Sequence, residues 1–272
     1  MIIEQTYNLL ISRYKSIIEK LTISDVRIGV YLTAVRLSDG SVGASATLAA
    51  DQPFCAKNNR DFGAFTPLKI RGQKVLDILE NKKDSWVLLS LRMSVLNAIS
   101  SKFISSGKYK IVEDKDPIQF VDLTSRKTIT VVGAFHSYIR KISETGNQLF
   151  VLEMNQEAMP LEYRQFFFPA MEFQTILPSS DIIIITGQTL VNRTIDDLLE
   201  VISPGTKVIV TGPSSGILPD ILFENKVSII GAVRITKPDI LFDIVSEGGT
   251  GYHLFEYCAQ KICILKGDEP QT

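Results

Sequence analysis

Soft metal-ligating side chains are scarce in this sequence. Its 272 residues include three cysteines, Cys55, Cys258 and Cys263, and two histidines, His136 and His253. The cysteines form no CxxC pair and the histidines no HxxxH pair, so spacing indicates no preassembled zinc centre. A small, odd cysteine count also argues against a disulfide framework and fits a reducing compartment. Charge of one sign is lacking too. Lys and Arg number 29 against 30 Asp and Glu, with no basic run or basic-aromatic stripe, so the electrostatic footprint of nucleic-acid binding is missing. Long apolar runs are absent: residues 182–185 make one of the longest, far below the roughly 20 residues of a bilayer span. The opening MIIEQTYNLLISRYKSIIEK carries charges inside its apolar pattern and has no small-residue cleavage site. The expected setting is the cytoplasm, with neither nucleic acid nor membrane as partner.

What is present is pattern. Hydrophobic residues make up 45% and charged residues 22%, ordinary values for a globular chain whose length suggests two domains. Residues 2–20 place Ile3, Tyr7, Leu10, Ile11, Tyr14, Ile17 and Ile18 at three- and four-residue spacings, predicting an amphipathic helix. Apolar stretches 26–32 and 42–48 flank Ser38-Asp39-Gly40-Ser41, predicting an antiparallel pair closed by an Asp-Gly turn. The polar, turn-rich segment 51–67 is a candidate lid. A short helix is expected over 74–80, and 86–104 is apolar nearly all round, predicting a buried helix. Asn97 lies within it; a buried amide must find partners or costs about 1–3 kcal/mol, so it ties the helix to a loop or faces a cleft.

Beyond residue 116 strand and helix alternate. The predicted strands are 128–133, 148–153, 181–187, 207–212, 227–231 and 261–266, and the runs 182–185 and 208–210 are continuously apolar, as parallel strands covered on both faces require. The expected fold is α/β: an N-terminal α+β domain, 1–115, then a doubly wound parallel sheet, 116–272, with the boundary between 105 and 127.

Ligands of such sheets sit at the carboxyl ends of the strands. The first such loop runs through Gly133, Phe135 and Tyr138, where a dinucleotide fingerprint would need glycine at all three, so the usual NAD or FAD pyrophosphate mode is not expected. Glu153 ends the second strand at the spacing of a ribose-binding acid, or is simply a solvated strand-end carboxylate. The third loop clusters Thr186, Gly187, Thr189, Leu190 and Asn192; Thr194 with Asp197 resembles a capping box, and Asn192 is a second candidate cap. The fourth, Gly212-Pro213-Ser214-Ser215, has small residues and two hydroxyls suited either to an anion or to a tight capped turn. Thr189, Asn192, Ser214 and Ser215 are expected to converge on one cleft.

The strings LPSSDIIIITGQTLVNRTIDDLL (177–199) and VIVTGPSSGILPDILF (208–223) resemble the bacterial and archaeal heavy-metal chelation family. The resemblance rests on TGxTLVNxT and GPSS, extends to Val131-Val132-Gly133, and reaches Asn97-Ala98 more loosely. It implies an enolase-N-terminal-like domain joined to a Rossmann-like domain, with a ligand cleft between them lined by these loops and by N-terminal residues. The function it implies is binding of a small anion or metal chelator, as a binding protein or an enzyme, in metal handling. Two alternatives stand beside it: an enzyme using a nucleoside cofactor such as S-adenosylmethionine, with Glu153 on the ribose, and a non-catalytic interaction module. The pattern names no catalytic residue, no cofactor and no protein metal ligand, and it is compatible with a homo-oligomer.

Overall fold

A computed structural model describes residues 1–48, 62–83, 85–106 and 108–267. Helix α1 (Ile2–Ile18) leads into strands β1 (Ile23–Ile28), β2 (Leu32–Leu37) and β3 (Val42–Ala46), an antiparallel meander followed by α2 (Val75–Leu79) and α3 (Trp86–Ile104). The Asp-Gly turn is where the pattern puts it, between β2 and β3, with Gly40 at φ +85°. The stretch 26–32, however, is not one strand. It bends after Ile28, where Gly29 N donates to Leu32 O at 2.9 Å, so the sheet has three strands rather than two. Of the candidate lid, residues 51–61 lie outside the described residues, as does Cys55.

Helix α3 starts at Ser85, whose hydroxyl accepts from Leu88 N at 3.2 Å. It is buried on all sides because β2 and β3 cover one flank and the second part of the chain covers the other. Small residues let it approach the sheet closely: Ser45 Oγ donates to Ser90 O at 2.9 Å and Ser94 Oγ to Thr33 O at 2.9 Å. Among the described helices α3 alone is long and apolar enough to cross a membrane, and 83% of that apolar window is buried inside the protein.

The remaining strands are β4 (Lys110–Glu113), β5 (Thr128–Val132), β6 (Gln148–Glu153), β7 (Phe167–Pro169), β8 (Ile182–Thr186), β9 (Lys207–Thr211), β10 (Val227–Ile235) and β11 (Ala259–Leu265). They form one sheet in the order β4-β11-β10-β9-β8-β5-β6-β7, in which β5 to β10 are parallel and β11 and β4 close one edge antiparallel. Counted from β5, the parallel strands run 3-2-1-4-5-6, the Rossmann order. Helices α4 (His136–Ser143), α5 (Phe173–Ile176), α6 (Gln188–Val191), α7 (Ile195–Val201), α8 (Pro219–Glu224), α9 (Pro238–Ser246) and α10 (Gly251–Tyr257) connect them or pack beside them.

Two strands depart from the pattern. β7 is three residues long and ends in proline, too short for a periodic signal. β4 pairs with β11, so an expected boundary at 115/116 leaves a strand of the large sheet in the wrong part; the two sheets divide between Ile104 and Lys110.

The two parts do not have separate cores. One apolar cluster joins Val35, Leu96 and Ile99 to Ile185, Val210 and Ile230. On the far face of the meander, Leu32, Ala34 and Val42 pack against Leu241, Phe242 and Val245 of α9. β2 is therefore buried on both faces. Polar ties accompany this packing. Asp220 of α8 accepts from Arg13 Nη1 at 2.8 Å, Tyr109 OH at 2.5 Å and Lys108 Nζ at 3.3 Å. Burial opposes ionisation of Asp220, but the Tyr109 hydroxyl and the Arg13 guanidinium outweigh it and hold the carboxyl below its ordinary range. A depressed carboxylate contributes stability that is present above its unfolded pKa and lost as pH falls through the folded value. Asp220→Asn is thus expected to be less stable than the wild type at neutral pH, with the difference shrinking below about pH 4. Urea melts of both proteins at pH 7 and pH 3 check this; a difference independent of pH refutes the pairing.

Candidate functional site

In the Rossmann order the chain departs in opposite directions from β5 and β8, leaving a crevice beyond their carboxyl ends. A pocket of about 290 Å³ lies there. Its floor is Val132-Gly133 and Thr186, one side is Leu152, Glu153 and Met154 at the end of β6, and the other is Gln188, Thr189, Asn192, Thr194 and Asp197 around α6 and α7. Ala170, Met171 and Phe173, from the β7–α5 connection, complete the wall.

Gly133 sits at φ +103°, and a Cβ there would lie 3.1 Å from Thr186 Cβ and Cγ2, so the crevice floor is bare backbone by necessity. The Glu153 carboxylate organises the rim. Its Oε2 accepts from Ala134 N at 3.0 Å, and its Oε1 from Met154 N at 2.7 Å and Asn155 N at 3.2 Å. Thr189 Oγ1 donates to Thr186 O at 2.7 Å, and Asn192 Oδ1 accepts from Thr194 N at 3.2 Å and Thr194 Oγ1 at 2.8 Å. Asn192 is thus the residue that caps this turn; the Thr194–Asp197 box does not form, because Thr194 makes no side-chain cap bond.

The expected convergence fails at the fourth loop. Gly133, Glu153, Thr186, Thr189 and Asn192 meet at the crevice, whereas Ser214 and Ser215 are 1% and 0% exposed and spent elsewhere. Ser214 Oγ accepts from Ala46 N at 2.8 Å, and Ser215 Oγ bonds to Gly212 O at 2.7 Å and Gly231 O at 2.6 Å. Leu190 is a core residue, Gly187 packs its backbone against Ser215, and Gly212 at φ +130° shapes the turn. Asn97 and Pro213 line a different cavity. No anion cradle is assembled from the third and fourth loops: the described lining of the crevice has two carboxylates, Glu153 and Asp197, and no Lys or Arg.

Phe135 lines neither cavity. Its ring stacks on Tyr138 at 5.3 Å, and the Tyr138 hydroxyl donates to Asp116. Burial and that bond push the Tyr138 phenol above its usual range, so it stays a neutral donor. Sequence reasoning missed Met154, Met171, Phe173 and Asp197. The neighbour of Glu153 was within reach of it, but Met171 and Phe173 follow a strand too short to recognise.

Among the described residues no group of three or more His, Cys, Asp or Glu side chains is placed to hold a metal ion. His136 Nε2 bonds to Ala158 O at 2.7 Å, and His253 Nδ1 accepts from Thr250 N at 3.0 Å. Cys258 and Cys263 are buried free thiols, and burial pushes Cys263 up to about 12, leaving essentially no thiolate at neutral pH.

Two family models match the chain, both described as "Putative heavy-metal chelation": DUF4213 over residues 11–100 and DUF364 over residues 116–264. Two solved structures of DUF364 proteins of unknown function share the fold. The Pyrococcus horikoshii protein is 20% identical over 97% of this chain and 98% of its own, with a TM-score of 0.76. The Desulfitobacterium hafniense protein is 20% identical over 97% of this chain and 100% of its own, with a TM-score of 0.74. No curated protein matches. With more than half of its length, residues 116–264, matched by the DUF364 model and its fold shared along nearly the whole length, the chain belongs to the DUF364 family.

Proposed function

We propose that the protein binds a small organic chelator in the crevice between β5 and β8 and handles metal as a chelate, the ligand bringing its own donor atoms. The family links the chain to metal-related binding, while its described side chains assemble no donor set. The observation that carries the reading is the crevice wall. Met154 and Met171 are 83% and 82% exposed beside a glycine floor, and large apolar side chains flanking a pocket are surface that a ligand covers. Glu153 and Asp197 favour a neutral or cationic ligand, such as a chelator carrying a divalent ion, over a free anion.

Bipyridine and phenanthroline, each alone and as a nickel complex, are suitable calorimetric probes. The expected result is one site per chain, with the complex bound at micromolar Kd. Met171→Lys, at an exposed position, removes apolar surface and repels the cationic complex, and should weaken it at least tenfold, about 1.4 kcal/mol, without changing the melting temperature. Gly133→Val should also weaken it, but at φ +103° and with its Cβ 3.1 Å from Thr186 Cβ it is expected to lower the melting temperature as well. Stoichiometric binding of free nickel ion, with no preference for the complex, overturns the reading.

A second reading is favoured by the position of Glu153 at the end of β6, next to the first strand of the Rossmann order, where such domains hold a ribose. Its two oxygens accept three backbone bonds and keep lone-pair capacity for a hydroxyl. S-adenosylmethionine bound in the same cell, and lost in Glu153→Ala, selects this nucleoside reading instead.

A further inference from the structure

We infer that Met154 and Met171 form a paired, reversible oxidation site on the wall of the crevice between β5 and β8, through which a peroxide lowers the affinity of the crevice for its ligand. The loss of affinity rests on the reading of the crevice as a chelator site, while the oxidation itself does not. Five methionines occur in the chain. Met93 and Met159 are each 2% exposed and belong to the core, whereas Met154 and Met171 are exposed, and both line the crevice. Met1, also exposed, borders a separate cavity.

Exposure and burial decide which thioethers react. Oxygen transfer from hydrogen peroxide forms a sulfur–oxygen bond and breaks the O–O bond, so sulfur gives up two electrons and the remaining peroxide oxygen leaves with both hydrogens as water. The attack needs only access of a small oxidant to a sulfur lone pair, with no lowered pKa and no neighbouring base. Met154 lies directly after β6, where Glu153 Oε1 accepts from its N–H at 2.7 Å, and Met171 lies in the turn between β7 and α5. Two connections that are separate in sequence thus bring both reactive sulfurs to one pocket of about 290 Å³.

The product changes what the wall offers. A sulfoxide replaces a flexible apolar side chain by a polar, chiral one whose oxygen only accepts hydrogen bonds. The described lining has no Lys or Arg to neutralise the new dipole, so the sulfoxides hold water where the thioethers offered bare apolar surface. Ligand rings that cover the thioethers must displace that water, which weakens binding without touching the core. Leucine at either position supplies comparable apolar area and has no sulfur to oxidise, which makes it the discriminating substitution. Thiol-dependent methionine sulfoxide reductases, one for each sulfur epimer, restore the thioether.

Treatment with hydrogen peroxide, quenching with free methionine and peptide mapping by mass spectrometry test the oxidation without any ligand. Met154 and Met171 are expected to gain one oxygen each, about tenfold faster or more than Met93 and Met159. Calorimetry on the desalted protein tests the consequence. The oxidised protein should bind the nickel–phenanthroline complex at least tenfold more weakly at an unchanged melting temperature, and treatment with both reductases should restore the affinity. In the double variant Met154→Leu and Met171→Leu, affinities before and after peroxide should agree within about twofold, whatever the starting value, which excludes oxidation elsewhere, as at Cys55, as the cause. Oxidation of the buried methionines as fast as the exposed pair, an affinity unaltered in the oxidised protein, or an equal loss in the double variant overturns the proposal. An untreated protein that does not bind the complex defeats the chelator reading alone, and the oxidation site then stands or falls on the mass-spectrometric pattern.

Discussion

Replacing Gly43 by alanine is expected to lower the melting temperature by on the order of 10 °C, corresponding to about 4 kcal/mol. Gly43 is on β3 where the meander meets α3, and a Cβ there would lie 2.3 Å from both Ala98 N and Ser94 O and 2.9 Å from Ala98 Cα. These are backbone atoms of a helix buried on all sides, so no rotamer change relieves the overlap. Sheet and helix must separate, and separation stretches the Ser45–Ser90 and Ser94–Thr33 hydrogen bonds that close contact permits. Overpacking alone costs about 1–3 kcal/mol, and each weakened bond adds about 1 kcal/mol. Thermal melting followed by circular dichroism checks this. A melting temperature within error of the wild type would mean that the strand and helix are not in contact at this glycine.

The second large effect concerns Ser214, and it is an effect on stability rather than on binding. Its hydroxyl accepts from Ala46 N, a bond between residues 168 positions apart that fastens the meander to the fourth loop of the Rossmann domain. Ser214→Ala leaves a part-buried N–H without its acceptor and is expected to cost about 2 kcal/mol. Denaturant melts should show the loss, Ser214→Thr should restore much of it, and hydrogen exchange at Ala46 N should accelerate. Affinity for a nickel–phenanthroline complex should stay within about twofold of the wild type, well under the tenfold step of 1.4 kcal/mol. A fall in affinity with unchanged stability would return Ser214 to the ligand site that GPSS alone suggests.

The fate of Ser214 shows how legibility divides in this chain. Helix α3, the Asp-Gly turn and the six strands expected beyond residue 116 were readable because each is a local pattern: an apolar surround, a two-residue turn, a continuous β-branched run. The two smallest strands were not. β7 has three residues, and β4 is a half-buried edge whose pairing depends on β11, about 150 positions later. Small polar loop residues were equally ambiguous. The motif at 186–194 and the GPSS turn look alike in composition, yet the first lines the crevice and the second is consumed by backbone groups.

By itself, then, the order of residues determined where the regular elements lie, that the second half alternates strand and helix, and which loops sit at the carboxyl ends of parallel strands. These follow from periodicity and turn chemistry, which act over a few residues. Strand order, and with it the position of the crevice between β5 and β8, was decided by tertiary packing, as were the covering of both faces of β2 and the two carbonyls that orient Asn97. The reason is that a hydroxyl, an amide or an apolar face is satisfied by whichever partner the fold brings near. Here the decisive partners, Ala46 for Ser214, Pro213 for Asn97 and Phe242 for the meander, all lie more than a hundred residues away along the chain.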